Sequence, residues 1–365
     1  MNLGLAEIRR ARLRFGLLTT AVALLVFLVL LLSTLGGALV GSLTGALDRL
    51  DAAGLVYAGN ARDNIAASRL DPSVADAVAA VPGVAAVGAV GTFTTRAPLD
   101  GTATDVQLFG FTPGAPGAPT GLSEGRLPTA AGEVAVDGRG VAIGDTIELE
   151  NGEGALTVVG LLRGSQFNAL PTLYVPLDAY TSAVTAANPG LPFVPINAVA
   201  FDVDPGDDAA AVAAAVTEAV PETQAYTRAD AVARIPGISS ISQSFGILVG
   251  LTFVIGIVVI GFFFLILTVQ KLRAFTLLRA IGASTGSLAA TVALQISVVV
   301  VAASAVALGL TALGLQGLST GIPVALSPST VITTVVAVWL FSLLAGMLSV
   351  RRIARIDPAT AVGSR

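Results

Sequence analysis

Apolar residues come in long unbroken blocks at both ends of the chain and in short alternating runs in its middle. Uncharged stretches extend from Phe15 to Leu47, from Ile235 to Gln270 and from Ser287 to Val350. The first, 33 residues long, would form a helix of roughly 50 Å, against about 30 Å of hydrocarbon in a bilayer. It predicts a retained anchor that continues beyond the membrane, because the apolar core of a signal peptide spans only about 7–15 residues. The second stretch is similarly overlong. Gly314, Gly317, Gly321, Pro323 and Pro328 divide the third into two spans, Leu288 to Leu310 and Val331 to Val350. Gly37, Gly41 and Gly45 recur at every fourth residue, and Gly246 and Gly250 continue the same spacing from Ser242. Each long helix is therefore expected to carry a small-residue face that another helix can approach closely.

The middle of the chain, residues 48–234, predicts a large folded domain. Asp71-Pro72 opens an alanine-rich helical run that ends at Val81-Pro82 and leads into a strand-like stretch, Val84 to Arg96. Asp204-Pro205 opens a second such run, ending at Val220-Pro221 before Glu222 to Arg228. Candidate strands precede them, at Leu55–Tyr57 and Ala198–Val203. Two such βαβ halves make a split ferredoxin-like subdomain. Between them, from about 98 to 195, short strands such as Asp105–Phe109 and Thr146–Glu150 are broken by Gly and Pro, which predicts a β-rich insert. The expected fold class is membrane α-helical, with four transmembrane helices, two of them extended as stalks, and an α+β extracytoplasmic domain. The expected segments are 1–47, 48–234, 235–270, a cytosolic coupling segment 271–287, 288–310, 331–350 and a tail 351–365.

Composition and charge fix the setting. Mean hydropathy is +0.83 and charged residues make up 12% of the chain, about half the roughly 25% of globular proteins. The net charge of −4 is unevenly spread. Residues 48–240 carry −13, and the fringes 1–47, 270–287 and 351–365 together carry +9. Basic residues flanking spans stay in the cytosol. Both termini are thus expected inside, with the large domain outside a bacterial cytoplasmic membrane. No cysteine and no histidine occur, which excludes disulfides and thiol catalysis and removes the commonest metal ligand and general base.

The segment Lys271 to Ser284 lies between two uncharged blocks and holds the only lysine. Its pattern is helical, with Leu278 and Ile281 on one side near Phe275. From these residues alone it serves equally as a handle for a soluble partner or as a basic loop that sets topology. No phosphate-binding loop is present; Gly282 to Ser287 lacks the lysine that would reach a phosphate. The spans carry no ionisable side chain, which disfavours an ion-coupled carrier. A non-catalytic chain driven by energy from outside itself is expected.

Motifs in order along the chain resemble the MacB/FtsX superfamily of ABC-transporter permeases. In the middle domain these are Gly125-Arg126-Leu127-Pro128 with Gly132 to Val136, Ile143 to Ile147, Thr157 to Gly160, and Leu173-Tyr174-Val175-Pro176-Leu177. Lys271 to Ser284 is similar to the family's coupling segment, and Ile356 to Val362 to its C-terminal signature. The resemblance implies a second permease copy, with a homodimer expected, and separate ABC ATPase subunits that hold ATP and magnesium. It also implies mechanotransmission, in which ATP-driven motion reaches the outer domain through the two long helices. By this likeness Leu277, Leu278, Arg279, Ala280, Ile281 and Gly282 dock on the ATPase, although the acidic residue relatives often carry there is absent. No cofactor on this chain and no nucleic-acid partner are expected.

The stretches Ile8 to Leu17 and Val56 to Leu70 look most like hemin-exporter permeases within the superfamily. Haem iron in a chain without His or Cys would take tyrosine as ligand, with Tyr57, Tyr174 and Tyr180 as candidates; the plainer expectation is that they pack in the core. Export of a hydrophobic or amphipathic compound, hemin first, is the leading functional expectation. An FtsX-like relay that switches an extracellular partner such as a cell-wall hydrolase is the alternative.

Overall fold

The computed structural model describes residues 12–150, 154–270, 285–318 and 326–354. The chain divides into two compact units, one made of Met1–Gly37 with Gln243–Arg365 and the other of Ala38–Ser242.

In the first unit four helices are long and apolar enough to cross a membrane. They are α1 (Arg12–Asp48, whose last turns belong to the second unit), a helix at Ile238–Gln270, one at Thr285–Leu318 and one at Pro328–Ala354. The last two helices extend on both sides of the expected spans 288–310 and 331–350. Phe15, Leu18, Val22, Val26 and Leu30, spaced three or four residues apart along one face of α1, share a core with Val292, Ile296, Val299, Val300, Ala303 and Ala307. Within their most apolar stretches α1 and the Thr285 helix are each 39% buried, against 17% for the other two. The Ile238 helix exposes Ile247, Leu251, Val254, Ile255 and Val258, side chains suited to lipid or to another apolar helix.

The second unit is built on a ten-stranded sheet with a separate two-stranded ladder of β1 and β5. Its elements, in order, are β1 (Leu50–Asp51), β2 (Gly54–Ala58), α2 (Val74–Ala79), β3 (Val84–Leu99), β4 (Thr102–Phe111), β5 (Ala118–Pro119), β6 (Leu122–Gly125), β7 (Glu133–Asp137), β8 (Thr146–Glu148), β9 (Ala155–Leu162), β10 (Thr172–Pro176), α3 (Leu177–Ala187), β11 (Ala198–Val203), α4 (Ala209–Ala219), β12 (Thr223–Thr227) and α5 (Arg228–Arg234). The three long helices after α5 are α6 (Ile238–Gln270), α7 (Thr285–Leu318) and α8 (Pro328–Ala354). Strand order is β12-β2-β11-β3-β4-β10-β7-β9-β6, with β8 on β9. The first four strands pair antiparallel with α2 and α4 as the crossovers, the split ferredoxin-like arrangement. Asp208 caps α4 by accepting the Ala210 N–H at 3.4 Å, and the Thr227 hydroxyl caps α5 by accepting the Asp230 N–H at 3.2 Å.

The insert is not a separate β body. β3 runs on as a single strand to Leu99, turns at Asp100-Gly101 with φ of +51° and +71°, and returns as β4. That two-residue turn with both φ positive matches the twist of paired strands, so the ladder carries the insert on the same sheet. The insert also contains α3. Side chains of β4, β7 and β10 alternate between two cores. Val106, Leu108, Val134, Val136, Leu173 and Val175 face α3, whereas Phe109, Phe111, Ala135 and Tyr174 join the core that includes Ala46, Leu47 and Leu50 at the end of α1.

Candidate functional site: the outer domain and its helical attachments

The three tyrosines named as haem candidates are interior residues of the outer domain. Tyr174 projects from β10 and is fully buried; its hydroxyl donates to the Ser165 carbonyl at 2.5 Å. Tyr180 projects from α3 onto the directly opposed pair Gly91 and Gly110 of β3 and β4, where an added Cβ would sit 2.4 and 2.5 Å from Tyr180 atoms. Its hydroxyl donates to Asn197 Oδ1 at 3.2 Å and lies 3.3 Å from the Pro195 carbonyl oxygen. Tyr57, on β2, is 1% exposed, and its hydroxyl has no hydrogen-bond partner. Burial pushes all three phenols up, Tyr180 to about 12. A haem ligand must reach a cleft as phenolate, and none of the three does in this conformation. In this structure all three pack in the interior, each 3% exposed or less.

The glycine faces also resolve differently along their length. Gly45 is in close contact, but with a loop instead of a helix: its Cβ would lie 2.5 Å from the Gly164 carbonyl oxygen. Among the described residues, nothing lies within 4 Å of a Cβ added at Gly37, Gly41, Gly246 or Gly250. The crowded glycine between the long helices is Gly36, one position off the expected row, whose Cβ would lie 2.7 Å from Phe245 Cγ. At the other end of these helices, Arg14 Nη1 donates to Gln270 Oε1 at 2.6 Å. Residues 277–282, the expected docking positions, lie outside the described residues.

Three side-chain clusters fix segments within the outer domain. Asp63, in the left-handed region at φ +63°, accepts a short hydrogen bond from the Tyr226 hydroxyl and lies 3.8 Å from Arg234, whose guanidinium stacks 4.9 Å from the Tyr226 ring centre. This cluster holds the segment before β3 against α5, the helix that leads into α6. Asp137, on β7, is buried with its carboxylate accepting the Ser165 N–H, and burial pushes its pKa up. The Arg126 guanidinium forks onto Glu133, which also accepts N–H groups of Thr129 and Ala130, and this holds Glu133 down to about 2. No group of three or more metal-ligating side chains occurs among the described residues.

Comparison with known proteins gives this architecture its context. The family model described as MacB-like periplasmic core domain matches residues 15–219, and that described as FtsX-like permease C-terminal matches residues 246–358. Two uncharacterized ABC transporter permeases of Mycobacterium tuberculosis are 28% identical over 295 and 290 residues, covering 78% of this chain and 77% of each relative. Of solved structures, the periplasmic region of MacB from Actinobacillus actinomycetemcomitans is similar at 13% identity and TM-score 0.38, over 50% of this chain and 91% of its own. The extracellular domain of YknZ, a noncanonic ABC-type transporter of Gram-positive bacteria, matches at 14% identity and TM-score 0.34, over 47% and 98%. Permeases of this kind are transporter components that work in a membrane with an ATPase partner. The chain is a multi-pass cell-membrane protein with its large domain outside, and it belongs to the MacB/FtsX-type family of ABC transporter permeases.

Proposed function

We propose that this chain is the permease subunit of an exporter that expels a hydrophobic or amphipathic compound, driven by mechanotransmission from a separate ATPase. The observation that carries the reading is the length of α1 and α6. At 37 and 33 residues they exceed by more than ten the roughly 20 needed to cross a bilayer, and both enter the outer domain without a break. A continuous helix transmits displacement along its axis, so motion imposed at the cytosolic ends of α1 and α6 reaches the domain outside. Both termini and the 271–284 segment face the cytosol in this reading, and Leu277, Leu278, Arg279, Ala280, Ile281 and Gly282 receive the ATPase.

A second copy of the permease completes the assembly through the open glycines Gly37, Gly41, Gly246 and Gly250. Their lack of neighbours within the chain leaves room for a helix to approach closely. Hemin is the first substrate to test, on the resemblance of the N-terminal stretches. With the tyrosines buried, recognition would rest on apolar surface alone. The test is export: deletion of the gene should lower tolerance of hemin or of another amphiphile, and Leu278→Asp with Ile281→Asp should abolish export while the purified ATPase still hydrolyses ATP. Capture of a cell-wall hydrolase by the outer domain, with unchanged tolerance of amphiphiles, would replace export by the relay.

A further inference from the structure

We infer that the loop 163–170 is a transmission link, which hands displacement of the end of α1 to the β4–β10–β7 part of the sheet, with Tyr174 and Asp137 as positioning residues that keep it seated. The inference rests on the mechanotransmission reading above and names the part of the outer domain that receives the movement.

The loop is bonded to the last turns of α1 along its whole length. The Ala169 N–H donates to the Ser42 carbonyl at 2.8 Å, the Asn168 N–H to the Leu43 carbonyl at 3.3 Å, and the Ala46 N–H to the Gln166 carbonyl at 2.9 Å. Gly45 lets the two backbones meet, because any Cβ there would overlap the Gly164 carbonyl oxygen. Asn168 and Ala169 are both left-handed, with φ of +52° and +58°. Asparagine tolerates that region, but for alanine it is strained, and such strain persists only where surrounding contacts impose it. Here the pair forms a tight turn closed by the Leu170 N–H on the Phe167 carbonyl at 3.0 Å, and the two N–H bonds to the helix seat that turn on α1.

The opposite side of the loop is fixed to the sheet. Ser165 donates its N–H to the buried Asp137 carboxylate on β7 and accepts the Tyr174 hydroxyl from β10. The Phe167 N–H donates to the Thr172 hydroxyl at 2.9 Å, and its ring packs edge-on to Phe109 of β4 at 6.5 Å. Thr172 and Asp137 are register partners, and β10 pairs with β4 on its other side. The loop is thus hydrogen-bonded both to the end of α1 and to the sheet, so displacement of that end reaches these three strands through it. The end of α1 is also tied to the other half of the sheet by segment 49–53, whose Ala53 N–H donates to the Phe201 carbonyl at 3.0 Å and whose Leu50 carbonyl accepts Arg228 Nη1 at 2.7 Å.

The chain lacks cysteine, so Glu148→Cys on β8 and Glu218→Cys on α4, both exposed, give one pair of label sites per copy, and dilution with unlabelled permease leaves the distance within a copy. The distance between spin labels there is measured in the full permease with its ATPase in nanodiscs, with and without ATP. The parent and the control Gly132→Ala, which meets nothing within 4 Å, should show an ATP-dependent shift. Gly45→Ala, which wedges the loop off the helix, should reduce that shift at least twofold, with ATP hydrolysis retained. Tyr174→Phe, which keeps the ring and removes only the latch, should do the same even if Gly45→Ala fails to fold. A full shift in Tyr174→Phe overturns the link and leaves mechanotransmission standing; no shift in the parent overturns both.

Discussion

Placing a methyl group on Gly110 should loosen α3 from the sheet. Its Cβ would lie 2.5 Å from Tyr180 Cβ and 2.6 Å from Tyr180 Cγ, where carbon atoms rest at about 3.5–4.0 Å. The contact is at the root of the side chain, so no rotamer change relieves it, and the helix must shift by about 1 Å. Overpacking of this kind costs about 1–3 kcal/mol. In a domain of this size, each kcal/mol lowers the midpoint by about 2–4 °C, so a drop on the order of 5 °C is expected. Tyr180→Gly removes the ring and the Cβ together and should cost at least the about 3–5 kcal/mol of losing a large buried aromatic side chain. With that Cβ absent, the methyl on Gly110 has space. The double variant Gly110→Ala/Tyr180→Gly should therefore be no less stable than Tyr180→Gly, a coupling of about 1–3 kcal/mol between the two sites. Thermal unfolding of the full chain in detergent, followed by far-ultraviolet dichroism, gives the four midpoints of the cycle. Strictly additive losses would refute the packing of Tyr180 into the glycine pair.

Acid should weaken the fork between Arg126 and Glu133. Because Glu133 is held down to about 2 when folded, its stabilisation is present above the ordinary carboxylate range and is lost as pH falls from about 4.5 towards 2. Glu133→Gln should flatten that part of the pH–stability curve, and added salt should shrink the difference because the pair is exposed. Asp137 has the opposite sign: its raised pKa means that the folded state holds this proton longer, so its contribution declines as pH rises above the ordinary value, and Asp137→Asn should remove the decline. Gly41→Ala adds a methyl that meets nothing within the chain and should raise helix stability by up to about 1 kcal/mol. If a second permease packs there, the same change should shift the assembly from two copies to one by mass photometry, and retained dimers would refute that contact.

Much of the architecture was readable in the amino-acid order, for identifiable reasons. The uncharged blocks mark the long helices because burying a charge in hydrocarbon is expensive, and the run Ala198–Val203 marks β11 because its residue types favour a strand. The continuity of the insert with the rest of the sheet runs through Asp100-Gly101. This dipeptide signals a hairpin between β3 and β4, and a boundary at about 98 cuts through it. Within the chain it is Gly36, 100° around the helix from Gly37, that meets Phe245, a difference of phase that residue spacing alone does not reveal. The tyrosines illustrate a deeper limit. Gly91 and Gly110 become a floor for Tyr180 only once β3 and β4 are in register, and nothing local to any of the three residues announces it. The loop 163–170 is similar, because its partners on α1, β7 and β10 are brought together by the fold.

Both faces of β4, β7 and β10 are apolar, and this bears on how the chain avoids folding wrongly. A sheet with one wet face rejects a one-residue slip, because the slip exposes every hydrophobic side chain. These strands lack that safeguard, since a slipped strand would still bury oil on either side. Alignment has to be set at the tip, where Asp100 and Gly101 allow one tight reversal, and a single residue inserted there should yield misaligned, aggregation-prone chains.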